Sequence, residues 1–541
     1  MEAQPWYQSA VFYEVYVRAF YDSNADGHGD LNGLAQKLDY LKSLGVDCLW
    51  LLPIYPSPLK DDGYDISAYN DVHPDYGSLE DFKRLLEAAH RRGMRVVTDL
   101  VMNHTSDQHP WFQAARADRN SPYRDYYVWS DTDRKYKDTR IIFLDTEKSN
   151  WTWDPLAGQF FWHRFYASQP DLNYDNPRVQ EEMLKVMDFW LDLGVDGFRA
   201  DAVPYLFERE GTGCENLPET HAYLKRVRRH MDEKYPGRVL LCEANQWPRD
   251  VRPYFGDGDE FNLAFHFPLM PRIFMAIKQG DRTPIAWALE QTPAIPEGCQ
   301  WVTFLRNHDE LTLEMVTPEE RRWMWERYAR EPRMRQNLGI RRRLAPLLDN
   351  DRRKIELAFS LLFTLPGAPI LYYGDEIGMG DNIWLEDRNG LRTPMQWDAT
   401  PGAGFSSAGR TYAPVIGEAP FAPDSVNVAG QLADPASLWH TLRKMIALRK
   451  AHAPLRAGDF AWLEVGAKAI LAASRRAEGE HILVVHNLGN RPETCDYPVG
   501  AEADRAFDLL AGTSIPVRGG QLSITLQPYQ YLWLSVPSGG K

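Results

Sequence analysis

For most of the chain, short apolar runs alternate with stretches of helical period. The strand candidates are VFYEVYV from residue 11, CLWLLPI from 48, MRVVTDLVM from 94 and VDGFRAD from 195. RVLLCEA from 238, FNLAFHF from 261, WVTFLRN from 301 and APILYYG from 368 follow. Between them lie patterns such as LNGLAQKLDYLKSLG (31–45), which starts near Asp30 and Asn32 and stops at Gly45. A second, SLEDFKRLLEAAHRRG (78–93), has Ser78 as N-cap and Gly93 beyond its end. Eight strand-then-helix units predict an α/β protein on a (β/α)8 TIM barrel.

Two stretches interrupt the alternation. Residues 105–172 are rich in Asp, Arg, Tyr and Trp with little helical period, and read as an excursion after the third strand that walls a site. Residues 310–356 are charged and helical; the interleaved Glu makes the RRR run a solvated amphipathic insertion rather than a nucleic-acid contact. From about 448 the pattern becomes short alternating strands, FAWLEV, AILAASR, HILVVHNLG, FDLLAG, QLSITL and QYLWLSV. The expected organisation is a barrel over 1–104 and 173–447, an inserted domain over 105–172, and a C-terminal antiparallel β domain over 448–541. The longest apolar run, LAFSLLFTLPGAPILYY (357–373), is broken by Pro366 and Pro369, so it reads as a buried helix feeding a strand and no membrane span is expected.

Bulk properties narrow the function classes. At 541 residues and 44% hydrophobic, the chain can bury a large core in two or three domains. A net charge of −14 argues against a nucleic-acid partner. The five cysteines are scattered and odd in number, which fits a reducing, cytoplasmic setting and neither a disulfide frame nor a zinc site. The N-terminus has no basic region followed by an apolar one, so no signal peptide is expected.

Three carboxylates fall at strand ends: Asp201 in GVDGFRADAV, Glu243 in VLLCEANQW and Asp309 in VTFLRNHDE. A barrel presents catalytic groups at that rim. Acids gathered there suit glycosidic chemistry, where a retaining mechanism needs two carboxyl groups about 5 to 5.5 Å apart. The general acid must keep its proton near neutral pH, so Glu243 is expected to have a raised pKa. Arg199, two residues before Asp201, points to the same side and would hold that carboxylate ionised. His104 and His308 end strand patterns beside the acids and would bond sugar hydroxyls; Tyr64, beside Asp61 and Asp62, offers a ring face. The loop DSNADGHGDLNG sets Asp22, Asn24, Asp26, the His28 carbonyl and Asp30 like the front of a calcium loop. Gly33 stands where an EF-hand needs a bidentate Glu, so a shorter oxygen cage is expected.

DLVMNH, GFRADAV, EANQW and FLRNHD resemble the four signature segments of the α-amylase family, in order, and QPDLN (169–173) resembles its fifth. The resemblance implies a barrel with an inserted domain B and a C-terminal β-sandwich. By position it implies Asp201 as nucleophile, Glu243 as acid/base and Asp309 as transition-state stabiliser. Asp61, Tyr64, His104, Arg199 and His308 fall on positions that hold the non-reducing glucose, and Arg392 on an arginine that closes this pocket. Longer stretches, including YLFEREGTGCENLPETH and DNIWLEDRNGLRTPMQWD, resemble the trehalose synthase branch, which isomerises maltose. That likeness implies a disaccharide substrate and a second calcium site of Asn103, Asp171, Glu208 and the backbone oxygens of Tyr205 and Leu206. Many members of that branch are fused to, or work with, a maltokinase, so a separate maltokinase is an expected partner; a homo-oligomer is the other expectation, and the residues do not fix its state. Two alternatives stand at this point. One is an oligo-glucosidase-type hydrolase sharing the first half-reaction. The other is a non-enzymatic relative, which the intact acids oppose.

Overall fold

Strands buried on both faces must be apolar along their length, and the eight runs meet that demand. In the computed structural model, which describes residues 5–499 and 503–537, they form one closed parallel barrel. Its strands are β1 (Phe12–Val15), β2 (Cys48–Leu51), β3 (Arg95–Val101), β4 (Gly197–Asp201), β5 (Val239–Cys242), β6 (Leu263–Phe265), β7 (Gln300–Phe304) and β8 (Ala368–Tyr372). β1 closes on β8 with Phe12 opposite Ile370. β3 pairs directly with β4 across the excursion, setting Asp99 opposite Arg199.

Local signals place the helices. Ser78 and Asp81 form a reciprocal capping box that starts the helix Leu79–Arg91, whose buried residues Phe82, Leu85, Leu86 and Ala89 cover the barrel. The pattern over 31–45 becomes two helices, Leu31–Gln36 and Leu38–Leu44, broken at Lys37; Asp30 caps the first by accepting from the Gly33 N–H.

The excursion carries the helix Pro110–Ala117 and a three-stranded antiparallel sheet with Gln159–Trp162 between Trp129–Ser130 and Trp151–Asp154. Isolated bridges His104–Asp171 and Tyr127–Leu172 clip its two ends together. The 310–356 region contains the helix Pro318–Tyr328, capped by Thr317 and Glu320, and a short hairpin, Arg335–Gln336 with Gly339–Ile340. The RRR run departs from the solvated reading. Arg341 donates to the Ile383 and Leu385 carbonyls, Arg342 pairs with Asp381, and fully buried Arg343 donates to the Tyr373 and Leu391 carbonyls. The three guanidinium groups clamp the loop after β8, and those long-range acceptors are invisible in a charge pattern.

The helix Leu438–Ala451 runs through position 448, and the first strand of the C-terminal domain is Asp459–Trp462. A six-stranded and a two-stranded antiparallel sheet follow, including Glu493–Pro498 and Thr513–Pro516, which the pattern did not mark. Alternation divides the work. Ile470, Ala472, Leu483 and Leu534 fill the sandwich, whereas Leu471, Ala473, Ile482 and Trp533 join the barrel core. All five cysteines are free and buried. Among the described residues no helix is long and apolar enough to cross a membrane.

Candidate active site

Asp201 ends β4, with Arg199 two residues behind it on the same face. The strand starts on Gly197, at φ 150°, where an added Cβ would lie 2.0 Å from the Val239 carbonyl oxygen; only glycine lets β4 and β5 approach this closely. Arg199 is 1% exposed. Its Nη1 donates to Asp99 Oδ1 and to Asp201 Oδ1, both at 2.6 Å, and its Nη2 lies 2.5 Å from Glu243 Oε1. One guanidinium therefore joins the ends of β3, β4 and β5. Ala202 adopts left-handed backbone (φ 53°), and its N–H donates to Glu243 Oε2 at 3.1 Å. Strained backbone held against a reactive group is a mark of preorganisation.

Asp309, beyond β7, is gripped from the opposite side. Its Oδ1 accepts from Arg388 at 2.8 Å and from Arg392 at 3.0 Å, and its Oδ2 lies 3.2 Å from His308 Nε2. His308 Nδ1 is 2.6 Å from Glu14 Oε1, and its ring stacks on Tyr64 at 5.2 Å. His104 Nε2 sits 3.2 Å from the Tyr64 carbonyl oxygen. Asp61 takes Arg388 Nη2 at 2.5 Å and Gln169 Nε2 at 2.9 Å.

These acids differ in how readily they ionise. Burial, helped by the Asp201 and Asp309 charges, pushes Glu243 up to about 8 despite Arg199. Burial raises Asp201 to about 6, with Arg199 opposing and Asp99 and Asp309 adding to the rise. Burial also opposes ionisation of Asp309, but the charges of Arg388, Arg392 and Arg199, with the His308 contact, outweigh it and hold that carboxyl below its ordinary range. Burial keeps His104 at about 3 and His308 well below its usual value, so both imidazoles are neutral at pH 7. Separated carboxyl pKa values are what distinguish an acid from a nucleophile.

The rim surrounds a pocket of about 120 Å³. Asp61, Tyr64, His104, His308 and the three strand-end acids line it, with Phe143, Phe165, Tyr205, Asn245, Glu310 and Glu314. Arg199 lies beneath the acids. Arg392 departs from the expected closing position: it stands behind Asp309, bound to Asp62 and the His308 carbonyl, and Arg388 occupies the cavity wall instead. Arg388, Asp99 and Glu14 are residues the sequence reading missed. Arg388 lies in the same quoted segment as Arg392, and Asp99 begins DLVMNH. Over the cavity, Arg140 of the excursion pairs with Glu314 at 2.9 Å and Glu215 at 2.8 Å, and reaches Tyr205 Oη at 3.2 Å. The Asn337 N–H donates to Asp145 at 2.7 Å beside it.

Among the described residues no three His, Cys, Asp or Glu side chains converge as a metal cluster. The donor chemistry of both expected calcium sites nonetheless suits a hard cation. Asn103 Oδ1, Asp171 Oδ2 and Glu208 Oε1 are buried with no hydrogen-bond partner. Burial pushes Asp171 up to about 8 and Glu208 well above its usual value, the Asp171 charge adding to the rise of Glu208. In the loop, Asp22 accepts from the Asn24, Ala25 and Gly27 N–H groups and Asp30 from Ser23 and Gly33. Asn24 and Asp26 bond each other, and the His28 N–H donates to Asp26. Asp22 also accepts from Ser406 Oγ, which fills its lone pairs, whereas Asp26 and Asp30 retain lone pairs beyond those bonds.

Residues 14–458 match the model of the alpha amylase catalytic domain, and residues 460–533 that of the maltogenic amylase C-terminal domain. The trehalose synthase/amylase TreS of Mycolicibacterium smegmatis is 61% identical, over 90% of this chain and 85% of that one. The trehalose synthase of a Pimelobacter species is 55% identical, over 98% of this chain and 96% of its own. Among solved structures, the trehalulose synthase MutB of Pseudomonas mesoacidophila superposes with a TM-score of 0.80 at 30% identity, covering 99% of this chain and 100% of that one. With the fold, the rim acids and these matches agreeing, the chain belongs to the alpha-amylase family.

Proposed function

We propose that this chain isomerises maltose to trehalose by a retaining double displacement in one closed site, with minor hydrolysis to glucose. In the first step Asp201 attacks the anomeric carbon of the non-reducing glucose, and Glu243 gives its proton to the departing glycosidic oxygen. The freed glucose stays, turns and presents its anomeric hydroxyl. Glu243 takes that proton as the oxygen attacks, Asp201 leaves, and an α,α-1,1 bond forms after two inversions. Asp309 steadies the developing positive charge, while Asp61, Tyr64, His104 and His308 position the retained ring. Arg199 orients both reacting carboxyls.

The observation that carries isomerase over hydrolase is the seal, Arg140 with Glu314 and Asp145 with Asn337. Water at a concentration on the order of tens of molar competes for the glucosyl group unless the pocket excludes it. The trehalose synthase names of the relatives point the same way. The test is a timed incubation with maltose and chromatographic separation of products. Trehalose in excess of glucose is expected. Glucose alone would make the enzyme an oligo-glucosidase with the same rim.

Calcium belongs to this reading as a structural ion, held by Asn103, Asp171, Glu208 and the Tyr205 and Leu206 carbonyls, and by Asp22, Asn24, Asp26, His28 and Asp30. When bound it supplies positive charge that lets buried Asp171 and Glu208 ionise. A cytoplasmic setting is supported by the five unpaired cysteines. A separate maltokinase rests on the family resemblance.

A further inference from the structure

At the pole of the barrel opposite the catalytic rim lies a cavity of about 380 Å³. It opens where β2 and β3 begin, against the helices Leu438–Ala451 and Ala453–Ala457. Its charged wall consists of Asp47, Arg95, Lys450 and Arg456, beside Trp6. Asp47 is already occupied: Oδ1 takes Lys450 Nζ at 2.5 Å and Oδ2 the Val11 N–H at 2.9 Å. Arg95 reaches Asp196 at 3.2 Å and lies over the Trp6 ring at 4.5 Å. Asp196 also pairs with Arg238 and lies 2.8 Å from His90 Nε2, so its one charge is shared between two arginines and a histidine hydrogen bond.

Arg456 has no such answer. Its Nε is buried without a hydrogen-bond partner, and among the described residues it forms no ion pair. Behind it stand two buried arginines whose hydrogen bonds all go to main-chain carbonyls. Arg449 donates to those of Phe363, Leu455 and Gly367, and Arg475 to those of Thr364 and Gly458. Burial lowers Arg449 to about 9, and the charges of Arg475 and Arg456 add to the drop. Compensation of a helix C-terminus accounts for Lys450, which caps the Gly45 carbonyl, but leaves the Arg456 Nε without an acceptor. Arg456 as a whole is half-buried, but a buried N–H without an acceptor is costly, and a guanidinium fork matches tetrahedral oxyanions.

We propose that this cavity binds a phosphate group, free or as a sugar ester, held by the Arg456 guanidinium with Arg95 and Lys450 as flanking charges. The bonds are charge-assisted N–H···O contacts to the phosphate oxygens, and the Trp6 ring at the wall offers an apolar face to an attached sugar. The site is independent of the reading of the catalytic rim, since no residue is shared.

The test is calorimetric titration of the whole chain, its catalytic pocket saturated with trehalose, using inorganic phosphate, glucose 6-phosphate, and sodium chloride at matched ionic strength. One saturable site for phosphate is expected, weakened at least tenfold by Arg456→Gln and to an intermediate degree by Arg456→Lys, with maltose turnover unchanged in both. Tighter binding of the ester would identify a sugar phosphate as ligand; equal binding would identify free phosphate. The proposal fails if no saturable heat appears, if chloride reproduces it, or if the variants bind like the wild type. Should Arg456→Gln fail to fold, equal affinity in Arg456→Lys overturns the proposal by itself.

Discussion

Asp196 and Asp201 flank one strand, five residues apart, and both are buried, at 2% and 7% exposure. Their fates are opposite. Burial works against ionisation of Asp196, but the His90 hydrogen bond, the Val96 N–H and the Arg238 charge win, and its pKa is lowered. At the other end, burial dominates, Asp99 and Asp309 crowd the site, and Asp201 rises to about 6. The lesson is that strand geometry places an acid and its neighbours decide its use. At the base a paired carboxylate ties strands together; at the rim an under-compensated one is kept reactive, at a cost to stability.

The comparison can be broken by removing each charge in turn. Asp201→Asn should lower maltose turnover by at least about 10⁴-fold, because no nucleophile remains, while its melting temperature stays level or rises. Residual activity within about tenfold of wild type would remove Asp201 from the mechanism. Asp196→Asn should do the reverse. Turnover per folded molecule is retained, and denaturant titration should show a loss of about 3 kcal/mol, since Arg95 and Arg238 lose their buried partner and His90 its hydrogen bond. A lowered folded-state pKa gives stability that is present above the unfolded value of about 3.9 and lost as pH falls through the folded one. The stability gap between wild type and Asp196→Asn should therefore close below about pH 4, and a constant gap down to pH 2 would contradict the pairing.

Activity against pH sharpens the rim side of the comparison. Asp201 must be ionised and Glu243 protonated, so kcat/KM should fall about tenfold per unit below about pH 6 and above about pH 8. A profile flat to pH 9.5 would exclude Glu243 as the acid. Smaller changes are expected from the seal. Arg140→Ala breaks the pairs to Glu314 and Glu215, and should raise the share of glucose among products several-fold while maltose consumption changes little. An unchanged trehalose-to-glucose ratio would show that this ion pair does not exclude water. The smallest effect is expected from removing the proposed calcium. Chelation should lower the melting temperature by a few degrees in wild type and by less in Asp171→Asn, which cannot present the same charge to a cation.

How much of this was legible depends on the range of the interaction. Eight buried strands announce themselves because each needs an unbroken apolar run, and Ser78 with Asp81 announces a helix because the capping box lies within one turn. The three rim acids were legible for the same reason: each ends its own strand pattern. Arg388 was not, because its value lies in reaching Asp61, 327 positions away, and Asp309, 79 away. Arg199 was correctly placed beside Asp201 by strand alternation, yet its equal grip on Asp99 needed the β3–β4 register. The RRR run was misread because a charge pattern shows which residues are ionic and hides whether acceptors surround them.

By itself, then, the order of residues determined what is local: strand and helix identity, the end of the strand on which each acid stands, and the family motifs those acids sit in. The tertiary structure alone decided which carboxylates share a guanidinium, which keep a proton near pH 7, and whether Arg140 meets Glu314 over the cavity. The division is physical. Backbone conformation follows from near neighbours, whereas desolvation and charge–charge energy depend on whatever the closed barrel brings within a few ångströms.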